Sequence, residues 1–246
     1  MKFAYWWVRI YIHLKRIKMK SVKYVLRAIL MLSSIIIAVP HALAAPIVLT
    51  FEGVGDYASV NGFYNGGMDS QGHTGANYGV SFSSVSLATI DSDAGGSGNI
   101  ANEPSGDAVL FFLSGAAATM NVAAGFDTGF SFFYSSGASG FVKVYSGLNA
   151  TGILLATINL TSNMSGCVGD PHGDFCRFTA IGVTFDGIAH SVDFGGTANQ
   201  IAFDNITIGS EVADPTDTPE PATLALALIG VAGLITARRR VPGVRL

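Results

Sequence analysis

Phe130-Ser-Phe-Phe-Tyr-Ser-Ser-Gly-Ala-Ser-Gly-Phe-Val-Lys-Val-Tyr145 sets the pattern for the middle of the chain. Phe130, Phe132 and Tyr134 recur at a period of two and so share one face of an extended strand. In the run that follows, Val142 and Val144 point opposite to Phe141, Lys143 and Tyr145. The connection 135–140 is short and rich in Ser and Gly, which predicts a hairpin loop. Working outward, further short runs rich in Val, Ile, Phe and Tyr stand at 47–51, 78–82, 85–90, 108–113, 119–123, 154–160, 178–185, 191–194 and 200–208. Clusters of Gly, Ser, Thr, Asn and Asp separate them, and no long amphipathic helix intervenes. The pattern predicts an all-β fold: an antiparallel β-sandwich, jelly-roll-like, which limits exposed edges by stacking two sheets.

Residues 45–211 suffice for one domain with a sizeable core. Charge is unevenly spread along the chain. Of 14 Lys and Arg, eight precede Ala28 and four follow Ala237, so only Lys143 and Arg177 lie between. Fourteen of the 17 acids fall in 52–211, and two cations against fourteen carboxylates leave that span at −12. Such a surface excludes nucleic acid as a partner, because that binding needs Lys and Arg to displace counterions. It suits a protein outside the cell, and divalent cations. Residues 212–218 are polar and unpatterned, as expected of a linker.

The N-terminal 44 residues have the form of a secretory signal. A basic stretch leads into the apolar run 28–39, then the breaker Pro40 and the small-residue pattern Ala42-Leu43-Ala44. Counted from Met19 the segment is 26 residues, the usual length, with Lys20, Lys23 and Arg27 as its charged region, so Met19 is the expected start. The apolar run of 12 is too short for a permanent span. The expectation is a signal helix read by the Sec export machinery and cut after Ala44.

The C-terminus has three parts: Pro219-Glu220-Pro221, the uncharged run 222–237, and Arg238-Arg239-Arg240. Sixteen helical residues reach roughly 24 Å, slightly under a hydrocarbon core, and flanking residues drawn inward cover the difference. A core helix of that length would show a polar face, and this run offers only Thr223 and Thr236. A single transmembrane helix is therefore expected, with the arginines on the cytoplasmic side. These residues resemble the PEP-CTERM family, whose members end in a Pro-Glu-Pro motif, a hydrophobic helix and an arginine cluster. The resemblance covers about the last tenth of the chain. It implies export across the inner membrane of an exopolysaccharide-producing Gram-negative bacterium, transient anchoring that faces the periplasm, cleavage by an exosortase, and delivery to the cell surface or beyond. The tail 241–246 is longer than the family's usual stop after the arginines.

Candidate site residues are few. Cys167 and Cys176 bracket a loop of turn formers, and in an oxidising compartment they predict a disulfide. Zinc, with His172 between them, lacks a second ligand pair. The stretch 91–102 places Asp91, Asp93, Gly96 and Asn99 at calcium-loop positions but has Asn102 where the bidentate Glu belongs, so it reads as an acidic surface loop. In 200–208 the apolar alternation changes phase at Asp204-Asn205, which predicts a bulge. With Glu52 closing the first strand, Asp204 resembles the edge calcium site of jelly-roll carbohydrate-binding modules. Two solvated strand-end carboxylates fit the sequence equally well.

No nucleophile elbow, phosphate-binding loop or other catalytic constellation stands out. The first reading is a non-enzymatic surface or matrix protein among exopolysaccharide. A carbohydrate-binding module is the alternative, and a secreted glycan-active enzyme stands behind it. Trp6 and Trp7 lie in the part removed on export, which leaves Tyr57, Tyr64, Tyr78, Tyr134 and Tyr145 as candidate sugar platforms.

Overall fold

Each apolar run forms a strand: β1 (Ile47–Leu49), β2 (Val80–Phe82), β3 (Leu87–Ile90), β4 (Ala108–Phe111), β5 (Ala117–Phe126), β6 (Phe130–Ser136), β7 (Gly140–Tyr145), β8 (Leu154–Leu160), β9 (Thr179–Val183), β10 (Ala189–Gly196) and β11 (Ile201–Ile208). These come from a computed structural model that describes residues 45–164, 167 and 173–214. The expected signal segment, the C-terminal span, Pro219, Glu220, Pro221, Arg238, Arg239, Arg240 and His172 lie outside the described residues. Among those described, the one helix is a 3-10 turn, Phe63–Asn65, and no helix is long and apolar enough to cross a membrane.

The strands make two antiparallel sheets. One has the order β3-β4-β11-β6-β9, with β1 beside the end of β11, and the other β2-β5-β10-β7-β8. Their inner faces meet in a core rich in phenylalanine. Phe130 and Phe132 of β6, Phe203 of β11 and Phe194 of β10 are all fully buried. Phe194 meets the other three edge to face, at ring separations of 6.0, 6.2 and 5.0 Å, the arrangement that the ring quadrupole favours.

The expected hairpin at 135–140 is not one. β6 pairs with β11 and β9, whereas β7 pairs with β10 and β8, so the connection is an arch from one sheet to the other. Alternation specifies which face of each strand is apolar, and both strands keep it: Phe130, Phe132 and Tyr134 from one side and Val142 and Val144 from the other are buried in the same core. It does not specify the neighbour, and a short Ser/Gly loop serves an arch as well as a hairpin.

β4 and β11 are buried at every position. The outer face of their sheet is covered twice. Residues 209–214 cross one half, where Ser131 Oγ donates to the Ser210 carbonyl (2.9 Å) and the Asp214 amide donates to Thr207 Oγ1 (3.1 Å). On the other half Ile100 and Phe175 close over Val109 and Ala202 in a second small apolar cluster. Phe175 is tied there by two backbone bonds, from its own amide to Asn99 O (3.1 Å) and from the Ala101 amide to Phe175 O (3.2 Å). The adjoining Cys176 forms the expected disulfide with Cys167, their Cα atoms 5.4 Å apart.

Candidate functional site

β1 ends in a turn at Phe51, which adopts a left-handed φ of 63° and donates its amide to the Tyr64 hydroxyl (2.7 Å). That turn throws Glu52 to the surface, where its Oε1 accepts the amides of Asp107 (3.0 Å) and Ala108 (2.9 Å). The predicted bulge is present. Pairing of β11 with β6 shifts register between Asp204 and Thr207, and Asn205 takes φ 45°. The bulge leaves Asp204 fully buried beneath the same loop that holds Glu52. Its Oδ2 accepts from Ser105, through the amide (3.2 Å) and the hydroxyl (3.4 Å), and its Oδ1 accepts the Asn205 amide (2.7 Å). The Ser105 hydroxyl also contacts Asn205 Oδ1.

Glu52 and Asp204, singled out in the sequence, are thus gathered around one loop. Burial pushes the Asp204 carboxyl up to about 8 against the bonds from Asn205 and Ser105, and the charge of Glu52 pushes it the same way. The oxygens of Glu52, Asp204, Asn205 and Ser105 are the donor type a hard cation takes. Their number is short, since no group of three His, Cys, Asp or Glu able to hold a metal occurs among the described residues.

Glu52 also lines an open cleft of about 370 Å³ together with Asp107 and His73. His73 is steered by Asp69, whose Oδ2 lies 2.8 Å from the ring Nδ1. Burial resists ionisation of Asp69, but the amides of Gly55, His73 and Gln71 and the imidazole outweigh it and hold the carboxyl down at about 2. An ionised Asp69 can only accept, so the ring Nδ1 is the donor in this contact. Sequence reasoning passed over this pair. The two residues are four apart outside any helix, and they meet because the chain reverses, with the Asp69 amide bonded to the His73 carbonyl (3.0 Å).

The remaining candidates sort by exposure. Tyr64 and Tyr134 are buried in the core and are not sugar platforms, while Tyr57 is 44% exposed and Tyr78 43%. In the acidic loop Asp91 serves its own turn, its Oδ1 accepting the Asp93 amide (3.1 Å) and its carbonyl the amides of Ala94 and Gly96. Cys167 and Cys176 are joined to each other, which removes them as zinc ligands.

Residues 217–240 match the family described as the PEP-CTERM protein-sorting motif. The chain carries a PEP-CTERM sorting signal at its C-terminus. The signal implies processing by an exosortase and export to the cell surface. All the expected sorting residues, Pro219 to Pro221 and Arg238 to Arg240, fall inside the match. No curated protein matches the chain.

Among solved structures, a point mutant of a family 29 carbohydrate-binding module is 15% identical, covers 71% of this chain and 99% of its own, and has a TM-score of 0.37. A family 6 module from Clostridium stercorarium, in complex with cellobiose, is 18% identical over 44% of this chain and 77% of its own, with a TM-score of 0.31. A glycoside hydrolase family 43 arabinoxylan arabinofuranohydrolase from Bacillus subtilis is 17% identical over 58% of this chain, with a TM-score of 0.35. This chain spans only 30% of that enzyme. The likeness is distant and assigns neither ligand nor reaction to this chain.

Proposed function

We propose that the chain is an exported, non-enzymatic surface or extracellular-matrix protein. In this reading a signal helix ending at Ala44 directs a jelly-roll-like sandwich out of the cytoplasm. The span 222–237 then holds it in the inner membrane, and an exosortase releases it at Pro219-Glu220-Pro221. The observation that carries the reading is the sorting motif itself, three parts in order over 217–240. Replacing Pro219, Glu220 and Pro221 with alanine is expected to leave full-length chain in the membrane fraction. Replacing Arg238, Arg239 and Arg240 with neutral residues weakens retention and orientation. Intact mass of the extracellular protein is the measurement. Release of the motif variant at normal size and rate, or an extracellular wild-type chain that retains Leu246, overturns the reading.

A second reading, a module that binds exopolysaccharide, is favoured by Tyr57. This residue is held at φ 55°, a conformation that L side chains other than Asn and Asp seldom adopt, and its ring stands edge-on to Phe111 at 5.4 Å. It forms one wall of a shallow, open groove with Asn99, Asn199 and Phe175. An exposed aromatic flanked by amides supplies both the apolar surface and the hydrogen bonds a sugar ring takes. Tyr57→Ala is expected to abolish pull-down by the host's own exopolysaccharide while export continues, and undiminished pull-down sinks this reading alone. A calcium ion at Glu52 and Asp204 would, in either reading, be a structural accessory to the loop that carries Ser105, and it would need ligands beyond those two carboxylates.

A further inference from the structure

Of the four strands that end the two sheets, β2 and β3 are covered by loops, whereas β8 and β9 have no further strand beside them among the described residues. β2 and β3 are each covered by the preceding loop: the Phe82 amide bonds Asn61 O (2.8 Å), the Ala88 amide bonds Ala58 O (2.9 Å), and the Val60 amide bonds Ser86 O (2.9 Å). β8 pairs with β7 on one side and, among the described residues, ends its sheet on the other. Its sequence, Leu154-Leu-Ala-Thr-Ile-Asn-Leu160, has no charge, proline or glycine, and no charged residue occurs between Lys143 and Asp170. Protected edges normally carry Lys, Pro or a bulge. A register irregularity touches only the start of β8, and 156–160 runs in regular pairing with β7.

Among the described residues the core is also incompletely covered along this margin. Leu155 and Ala156 of β8, and Ile181 and Val183 of the neighbouring edge strand β9, are half-buried residues packed against the core rather than enclosed by it. Ile153 is 70% exposed and Leu154 49%.

We infer that this margin is a self-association edge. Two copies pair β8 with β8 in antiparallel sense about a two-fold axis, joining two five-stranded sheets into one of ten strands and covering the open core margin of each. A second copy is the occupant the chemistry favours. Antiparallel pairing of a strand with itself is self-complementary, since the donors and acceptors one copy presents are those the other lacks. The domain carries −12, so copies repel over most of their surface, and β8, inside an uncharged stretch of sequence, is where they approach at least cost. Thr157 and Asn159, exposed on the outer face, meet their counterparts without a charge clash. Closure about a two-fold axis uses both β8 edges, so the product is a dimer and not a fibre.

The test uses the full chain in an uncharged detergent, by sedimentation over a concentration series and by hydrogen exchange read at individual peptides. The wild type is expected to dimerise, with amides in 154–160 gaining protection as concentration rises. Ile153→Lys combined with Thr157→Lys places charge on two exposed positions. It is expected to weaken the dimer roughly tenfold or more and to remove that protection, with the melting temperature unchanged at dilutions where the wild type is monomeric. A wild type that stays monomeric overturns the proposal, as does a dimer whose β8 peptides exchange as in the monomer, because association then runs through another segment. The exchange result on the wild type decides the matter even where the double variant folds poorly.

Discussion

Asp204 is an acid with no exposed surface, placed by a bulge beside a second carboxylate. Its carboxyl titrates at about 8 in the folded protein against an ordinary 3.8, so between those values the native state holds a proton that the unfolded chain has released. The stabilisation linked to this group is fully present below about pH 4 and is lost as the pH rises toward 8, at up to about 1.4 kcal/mol per pH unit. Asp69 has the opposite sign. Held at about 2, it contributes stability that is present above its ordinary value and lost as the pH falls through 2. With chelator present, the melting temperature is therefore expected to fall between pH 5 and 8, and Asp204→Asn is expected to flatten that slope. Added calcium at pH 8 should raise the wild-type melting temperature and leave Asp204→Asn unchanged. A wild type indifferent to calcium removes the cation from the Glu52 and Asp204 site. The bulge was legible in the sequence as a break in alternation from Ile201 and Phe203 to Ile206 and Ile208. The depth of Asp204 was not, because burial depends on the loop 103–108 folding over it.

At the scale of elements, the disulfide does more than shorten a loop. By loop-closure entropy a bridge of this span contributes about 2 to 3 kcal/mol. Its position adds a local role, for Cys176 adjoins Phe175, and Phe175 with Ile100 is what covers Val109 and Ala202 on the outside of the sheet. Replacing both cysteines with serine is expected to lower unfolding free energy by about that amount. Faster hydrogen exchange should appear at 99–101 and in β4, while β5 and β10 in the other sheet stay protected. Uniform loss of protection across both sheets would show that the bridge acts only through the unfolded chain. The existence of this bridge follows from two cysteines in an exported chain. Its role as the anchor of an outer layer follows from a parallel bridge between Ile100 and Phe175, a contact between segments 75 residues apart that leaves no local signature.

At the scale of the molecule, folding and sorting are expected to be separable. The described chain is bonded to the sandwich as far as Asp214, through its amide to Thr207 and its carboxylate to Asn205, and the sorting residues begin beyond it. The motif and arginine variants are accordingly expected to show the melting temperature of the wild-type domain even where release fails. A matching loss of stability would tie the signal to the fold. The −12 of the domain acts at this scale too, favouring solubility outside the cell and raising the ionic-strength dependence of any contact between copies.

The sequence by itself determined the strand positions, the two-sheet class, the disulfide, the bulge and the sorting signal. Each of these is written in local terms: a period of two, a pair of cysteines, a break in phase, a motif read in order. Tertiary structure alone decided that 137–139 is an arch and not a hairpin, and that β4 and β11 are covered on both faces. It alone decided that Asp69 meets His73, that Tyr57 and not Tyr64 or Tyr134 faces solvent, and that β8 ends its sheet among the described residues. The physical reason is common to all of them. Alternation tells a strand which face is apolar, but partner, register and cover are settled by competition among all strands for the same core, and that competition is not local.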